Sequence, residues 1–120
     1  MDYGSAIVVD GLASLELRPS RSVIYDREIE LRSLYEDPES GAEHYIIRYP
    51  AGVRTKRHRH TASHTIIVLT GRLEVNGRVV GPGSYSHFPA GQAMGHQPVD
   101  GPCLFVIMFD GPVDVQVVEA

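Results

Sequence analysis

The chain has 120 residues, 42% of them hydrophobic, which suits one domain around one core and excludes two separately stable ones without disulfides or structural metals. A net charge of −4 argues against a nucleic-acid partner. No apolar run nears the ~20 residues that a membrane-spanning helix needs, so no membrane partner is expected.

At the start of the chain, Ala6-Ile7-Val8-Val9 is short and flanked by Asp2 and Asp10, with no basic residues before it. It does not read as a secretory signal, and a cytoplasmic location is expected. Residues 28–35 alternate Ile29, Leu31, Ser33 and Tyr35 against Glu28, Glu30, Arg32 and Leu34, as a half-buried strand does. A second strand is expected over 43–49. Next comes the crowded group Arg54, Lys56, Arg57 and Arg59. Short and without interleaved aromatics, it reads as a solvated loop or strand edge rather than a nucleic-acid patch.

Residues 64–70 form a nearly continuous apolar run, as a central strand would. Strands over 72–75 and 78–80 flank Asn76-Gly77, a pair that accepts the positive φ of a type I′ hairpin turn. Further strands are expected over 84–88, 103–109 and 113–118. Cys103, the single cysteine, opens the apolar run that ends at Phe109 and reads as a buried, inert thiol. Turn residues recur at short intervals, from Pro38 and Gly41 through Gly81-Pro82-Gly83 to Gly111-Pro112. No segment carries helical periodicity over three turns. The pattern predicts an all-β, antiparallel sandwich or barrel over residues 1–120.

Histidine carries the functional signal. Of His44, His58, His60, His64, His87 and His96, three fall within seven positions. Residues two apart on a strand share a face, so His58 and His60 can aim both imidazoles at one point. His64 opens the run that follows, and His96 comes from a strand beyond the turn at Pro89-Ala90-Gly91. Neutral imidazole is the commonest metal ligand, and several converging from different strands make a site. The structural alternatives are a packed core histidine at 64 and a loop histidine at 96. His44 and His87 do not read as ligands.

These residues resemble the cupin superfamily, whose first motif runs Gly, five residues, His-x-His, three or four residues, Glu, six residues, Gly. Gly52, His58, His60, His64 and Gly71 match its spacing throughout, with His64 in the place of the usual Glu. The second motif is Gly, five residues, Pro-x-Gly, two residues, His. Gly83, Pro89 and Gly91 match, but Met94 stands at the ligand position, and His96, two residues on, is the substitute. The matched core is 52–96. The resemblance implies a double-sheet jelly roll and one divalent metal ion (Mn, Fe, Ni or Zn) held by His58, His60, His64 and His96. Tyr85, His87 and Met94 are candidates to line the pocket, as are Tyr45 and Tyr49.

Four imidazoles cancel none of the ion's charge, so bound water should be more acidic, and the oxidised metal harder to reach, than with a Glu ligand. A six-coordinate ion would keep two open positions, whereas tetrahedral zinc would be closed and structural. Three functions follow. The first is a metal-dependent dioxygenase acting on a small anionic or enolisable molecule. The second is a non-catalytic, metal-dependent small-molecule binder or sensor. The third is a structural dimer with a vestigial metal. Residues before Arg48 and after Asp110 are richer in Val, Ile and Leu than one small barrel needs. They are expected to cover a neighbour's sheet in a homodimer.

Overall fold

The computed structural model describes residues 6–118. After a single 3-10 turn at Leu12–Ser14, nine strands follow. They are β1 (Arg18–Ser20), β2 (Ile29–Glu36), β3 (Glu43–Tyr49), β4 (His58–Arg59), β5 (His64–Val75), β6 (Arg78–Val80), β7 (Tyr85–Phe88), β8 (His96–Phe109) and β9 (Gln116–Val117). All pairings are antiparallel. Seven strands form one sheet in the order β1-β2-β3-β8-β5-β6, with β7 also on β5, and β4 pairs β9 in a separate two-stranded ribbon. No described helix is long and apolar enough to cross a membrane. The fold is the expected antiparallel jelly roll.

The long pair β5 and β8 is the spine. It joins His64↔Phe109 at one end to Val75↔His96 at the other, with register shifts between Val68 and Arg72. At the shift Gly71 has φ 79° and, across from it, Asp100 and Gly101 have φ 56° and 137°. These positive-φ residues form a bulge that bends both strands without breaking them. Sequence reading placed breaks at Gly71 and at Gly101-Pro102, so it split β5 into two and started β8 seven residues late. The expected strand over 113–118 shrinks to β9, β4 is all that forms of the strand assumed for His58 and His60, and β1 was not foreseen.

The core cluster draws on both ends of the bent sheet: Ile29, Ile47 and Tyr49 from β2 and β3, Ile66, Val68 and Leu73 from β5, Phe88 from β7, and Cys103, Phe105, Ile107 and Phe109 from β8. Cys103 is fully buried and free, and burial pushes its thiol up to about 11, so it stays a thiol at neutral pH.

Candidate metal centre

Strand alternation builds the first half of the site. Arg57 and Arg59 are exposed, whereas His58 and His60 point inward and are 0% and 6% exposed. The basic residues of this segment are thus its solvated face, as expected. His64 begins β5 and His96 begins β8, and they are 1% and 3% exposed. All four imidazoles meet inside. The rings of His58 and His60 lie 5.0 Å apart, those of His60 and His64 4.9 Å, and those of His58 and His96 5.7 Å, each pair close to perpendicular. Two imidazoles sharing one ion through Nε2 have ring centres roughly 4.5–5.3 Å apart. The first two separations match that spacing and the third is slightly long.

Hydrogen bonds orient three of the rings from behind. His58 Nδ1 donates to the Lys56 carbonyl at 2.7 Å, and His60 Nδ1 donates to the Asp114 carbonyl. A carbonyl only accepts, so both Nδ1 atoms carry hydrogen and both Nε2 atoms keep a lone pair. His96 Nδ1 is 2.8 Å from the Tyr49 hydroxyl. Such tethers fix tautomer and ring direction in metal-ligating histidines. His58 Nε2 and both nitrogens of His64 are buried without any partner among the described residues. Orphaned buried nitrogens are costly in a fold, and they suit a bound cation. The donors are not gathered for one as they stand. Among the described residues no group of three or more His, Cys, Asp or Glu side chains is arranged to hold an ion.

Burial lowers the pKa of all four histidines, below the ordinary 6.5 for His58 and His60, to about 3 for His64, and well below for His96. Desolvation of the charged form is the largest cause, and the mutual repulsion of neighbouring imidazolium charges adds to it for His58, His64 and His96. The site therefore presents neutral rings at pH 7. His64 is also stacked between Phe88 and Phe109, with ring centres 4.8 and 5.0 Å away.

His58, His60 and His96 line a cavity of about 310 Å³. Ile24, Ile29, Ile47, Ile107 and Phe109 supply apolar walls, Tyr25 and Tyr45 supply rings with hydroxyls, and Val113 and Val115 of the C-terminal tail close one side. A larger depression of about 540 Å³ touches His96 from elsewhere, but it is open and polar and holds none of the other histidines. We take the smaller cavity as the site because three imidazoles open into it.

The expected pocket residues divide. Tyr45 lines the cavity, and Tyr49 is fully buried behind His96. Tyr85 and His87 do not line it: β7 turns them outward, Tyr85 is 68% exposed, and His87 is exposed with its Nδ1 2.9 Å from Thr65 Oγ1. The reason is strand parity, since Phe88 is the inward residue that packs on His64. Met94 is core, at 1% exposure, and its backbone bridges His58 in both directions. His96, not Met94, joins the other rings. His44 lies against Tyr35, away from the cluster. Sequence reading missed the Tyr25–Tyr49–His96 chain, the Asp114 carbonyl and the aromatic slot around His64. Their partners lie up to 54 residues apart in the chain, and no local pattern announces such pairs.

A family model for the ChrR cupin-like domain matches residues 14–114. The chain belongs to the ChrR cupin-like family. Among solved structures, this cupin-like domain is similar to an acetylacetone dioxygenase from Acinetobacter johnsonii, with 21% identity, a TM-score of 0.75, and coverage of 99% of this chain and 85% of that one. It is also similar to the polyketide cyclase RemF from Streptomyces resistomycificus, with 18% identity, a TM-score of 0.76, and coverage of 96% and 87%. A third is a cupin-like protein from Thermotoga maritima, with 18% identity, a TM-score of 0.75, and coverage of 89% of both chains. At these identities the likeness concerns the fold. No match was found among curated proteins.

Proposed function

We propose that this cupin-like domain holds one divalent ion through His58, His60, His64 and His96 and acts as a dioxygenase on a small anionic or enolisable molecule. The observation that carries the reading is the meeting of four buried, neutral imidazoles, with His58 Nε2 and both His64 nitrogens unpartnered, beside a cavity of about 310 Å³. That volume is at the small end of ligand sites. The ion, when bound, supplies two uncancelled positive charges for an anionic substrate oxygen and, if iron or manganese, access to dioxygen. The chain's own share is to position the rings and to wall the site with apolar side chains. Lys56 and Asp114 carbonyls hold two Nε2 lone pairs inward, and the isoleucines with Phe109 form apolar walls. Two structural neighbours are named for carbonyl-rich substrates, acetylacetone and a polyketide, which supports the enolisable class.

A second reading rests on a specific feature of the cavity. Among the described residues none that line it is a carboxylate or a lysine, so apart from the histidines no base among them faces a substrate. That favours a metal-dependent binder or sensor without turnover. The test is elemental analysis of protein purified without a metal-affinity tag, then oxygen uptake with acetylacetone and the matched metal. About one ion per chain and substrate-dependent uptake support the dioxygenase. Binding without uptake supports the sensor. His58→Ala and His60→Ala should each lose most of the metal, and full content in both variants would place the site elsewhere.

A further inference from the structure

Three of the four histidines have a hydrogen-bonded Nδ1, and one of those bonds differs in kind. Carbonyl oxygens face His58 and His60, which leaves their tautomer no choice. His96 faces a phenol. A hydroxyl can donate or accept, so Tyr49 leaves the His96 tautomer free. Tyr49 is fully buried, and its oxygen is also 3.0 Å from the hydroxyl of Tyr25, which lines the cavity. Tyr25, Tyr49 and His96 thus form an unbroken chain of two hydrogen bonds, from the cavity wall to the back of a candidate ligand.

Each hydroxyl has one hydrogen, so the chain has only two directions. If His96 Nδ1 is bare, Tyr49 donates to it, Tyr25 donates to Tyr49, and Tyr25 has only lone pairs to offer the cavity. If Nε2 gives its lone pair to an ion, Nδ1 must carry hydrogen and donates to Tyr49. Tyr49 then donates to Tyr25, whose own hydrogen is left for the cavity. We propose that Tyr25 is the substrate-orienting residue of this site, a hydrogen-bond donor to an anionic oxygen of the substrate, set in that direction by the ion through His96 and Tyr49. The inference rests on the metal reading above. It adds that the cavity selects for an oxygen acceptor, such as an enolate oxygen, within reach of Tyr25 as well as of the ion. Tyr49 touches neither and is a positioning residue.

Zinc(II), diamagnetic and without redox chemistry, suits the tautomer reading, and nickel(II), which takes up to six ligands and so keeps positions open beside four histidines, suits the binding test with acetylacetone as the probe. In the zinc-loaded chain the ¹⁵N shifts of His96 should have the Nδ1–H, Nε2–metal pattern. Calorimetric titration of the nickel-loaded chain with acetylacetone, with nickel content checked afterwards, should give a dissociation constant about tenfold higher for Tyr25→Phe than for the unaltered chain, the scale of one hydrogen bond to a charged acceptor. Its zinc affinity should be unchanged. Tyr49→Phe should weaken both, zinc by about tenfold or more, because it strands the His96 N–H. A bare His96 Nδ1 in the zinc-loaded chain, or equal acetylacetone affinity in Tyr25→Phe, would overturn the assignment. So would nickel uptake with no acetylacetone binding by the unaltered chain, which leaves the metal centre standing. Failure to take up zinc or any other divalent ion sinks the metal reading itself, and the orientation of Tyr25 with it.

Discussion

Exchanging His64 for glutamate would restore the carboxylate usual at this position in cupins and place it between Phe88 and Phe109, where both imidazole nitrogens now lack partners. With an ion bound, the carboxylate has a counter-charge, and His64→Glu should keep its metal and become harder to strip. Without one, it is a buried unpaired charge that costs roughly 3 kcal/mol or more. The expected outcome is near-normal metal stoichiometry and a melting temperature that falls much further on chelation than that of the unaltered chain. Equal falls in both would make His64 a packing residue. The four lowered pKa values carry a second expectation for the metal-free chain. Folded values lie below the ordinary 6.5, so as pH falls the unfolded chain takes up protons first. Stability is complete above about pH 6.5 and drains away below it, continuing down toward the value of about 3 set by His64. Thermal melts of chelated protein between pH 8 and pH 4 check this, and a flat profile would mean that the rings are solvated. The four histidines themselves were legible because motif spacing and strand parity act over a few residues. Tyr25, Asp114 and the tethering role of Tyr49, expected only as a pocket residue, were not, since what recruits them is the closing of the sheet.

At the scale of elements, the β5–β8 bend organises the site, because it brings His96 at one end of β8 onto the face that ends in Phe109. Gly71 makes it possible. A Cβ there would collide with the Pro102 carbonyl oxygen and come within 3.0 Å of the Cys103 Cα, at a φ of +79°. Gly77, in the β5–β6 turn, has φ +84° but open space around it. The two glycines therefore separate backbone conformation from collision. Gly77→Ala should cost only the left-handed conformation, about 1–2 kcal/mol. Gly71→Ala should cost about 2–4 kcal/mol, because rigid backbone must move as well. Urea denaturation of both variants measures the difference, and equal losses would show that the bend is compliant. This bulge also explains where strand reading went astray. Gly71 and Gly101-Pro102 carry turn chemistry, and local reading ends a strand at each. In the fold they face one another, so the two irregularities absorb each other and both strands continue. Where no such pairing intervenes, as at Glu43–Tyr49 and around Asn76-Gly77, the strands fall where periodicity put them.

At the scale of the whole molecule, what the sheet leaves uncovered is the question. The large hydrophobic residues on the surface are unevenly placed. Ile7, Val8, Val23 and Tyr35 lie before Arg48, Val113 and Val117 lie after Asp110, and only Val79 and Tyr85 fall between. Val8 is 87% exposed and Val23 67%, values that make no contribution to the monomer's own core. The outermost strands of the main sheet, β1 and β6, have three residues each, so part of each neighbouring strand has an open edge. Short edge strands limit uncontrolled pairing, and exposed apolar side chains on the segments before Arg48 and after Asp110 suit a closed, two-fold assembly better than open growth. We therefore expect a homodimer, with a mass in multi-angle light scattering close to twice the 13.2 kDa of one chain. Charged substitutions discriminate the surfaces. Val8→Asp with Val23→Asp should release monomers at micromolar concentration without lowering metal content, because neither residue lines the cavity. Val79→Asp, on the far edge, should leave the dimer intact. A monomer before any substitution would mean that these residues face solvent, and dissociation by Val79→Asp alone would move the interface to the opposite edge.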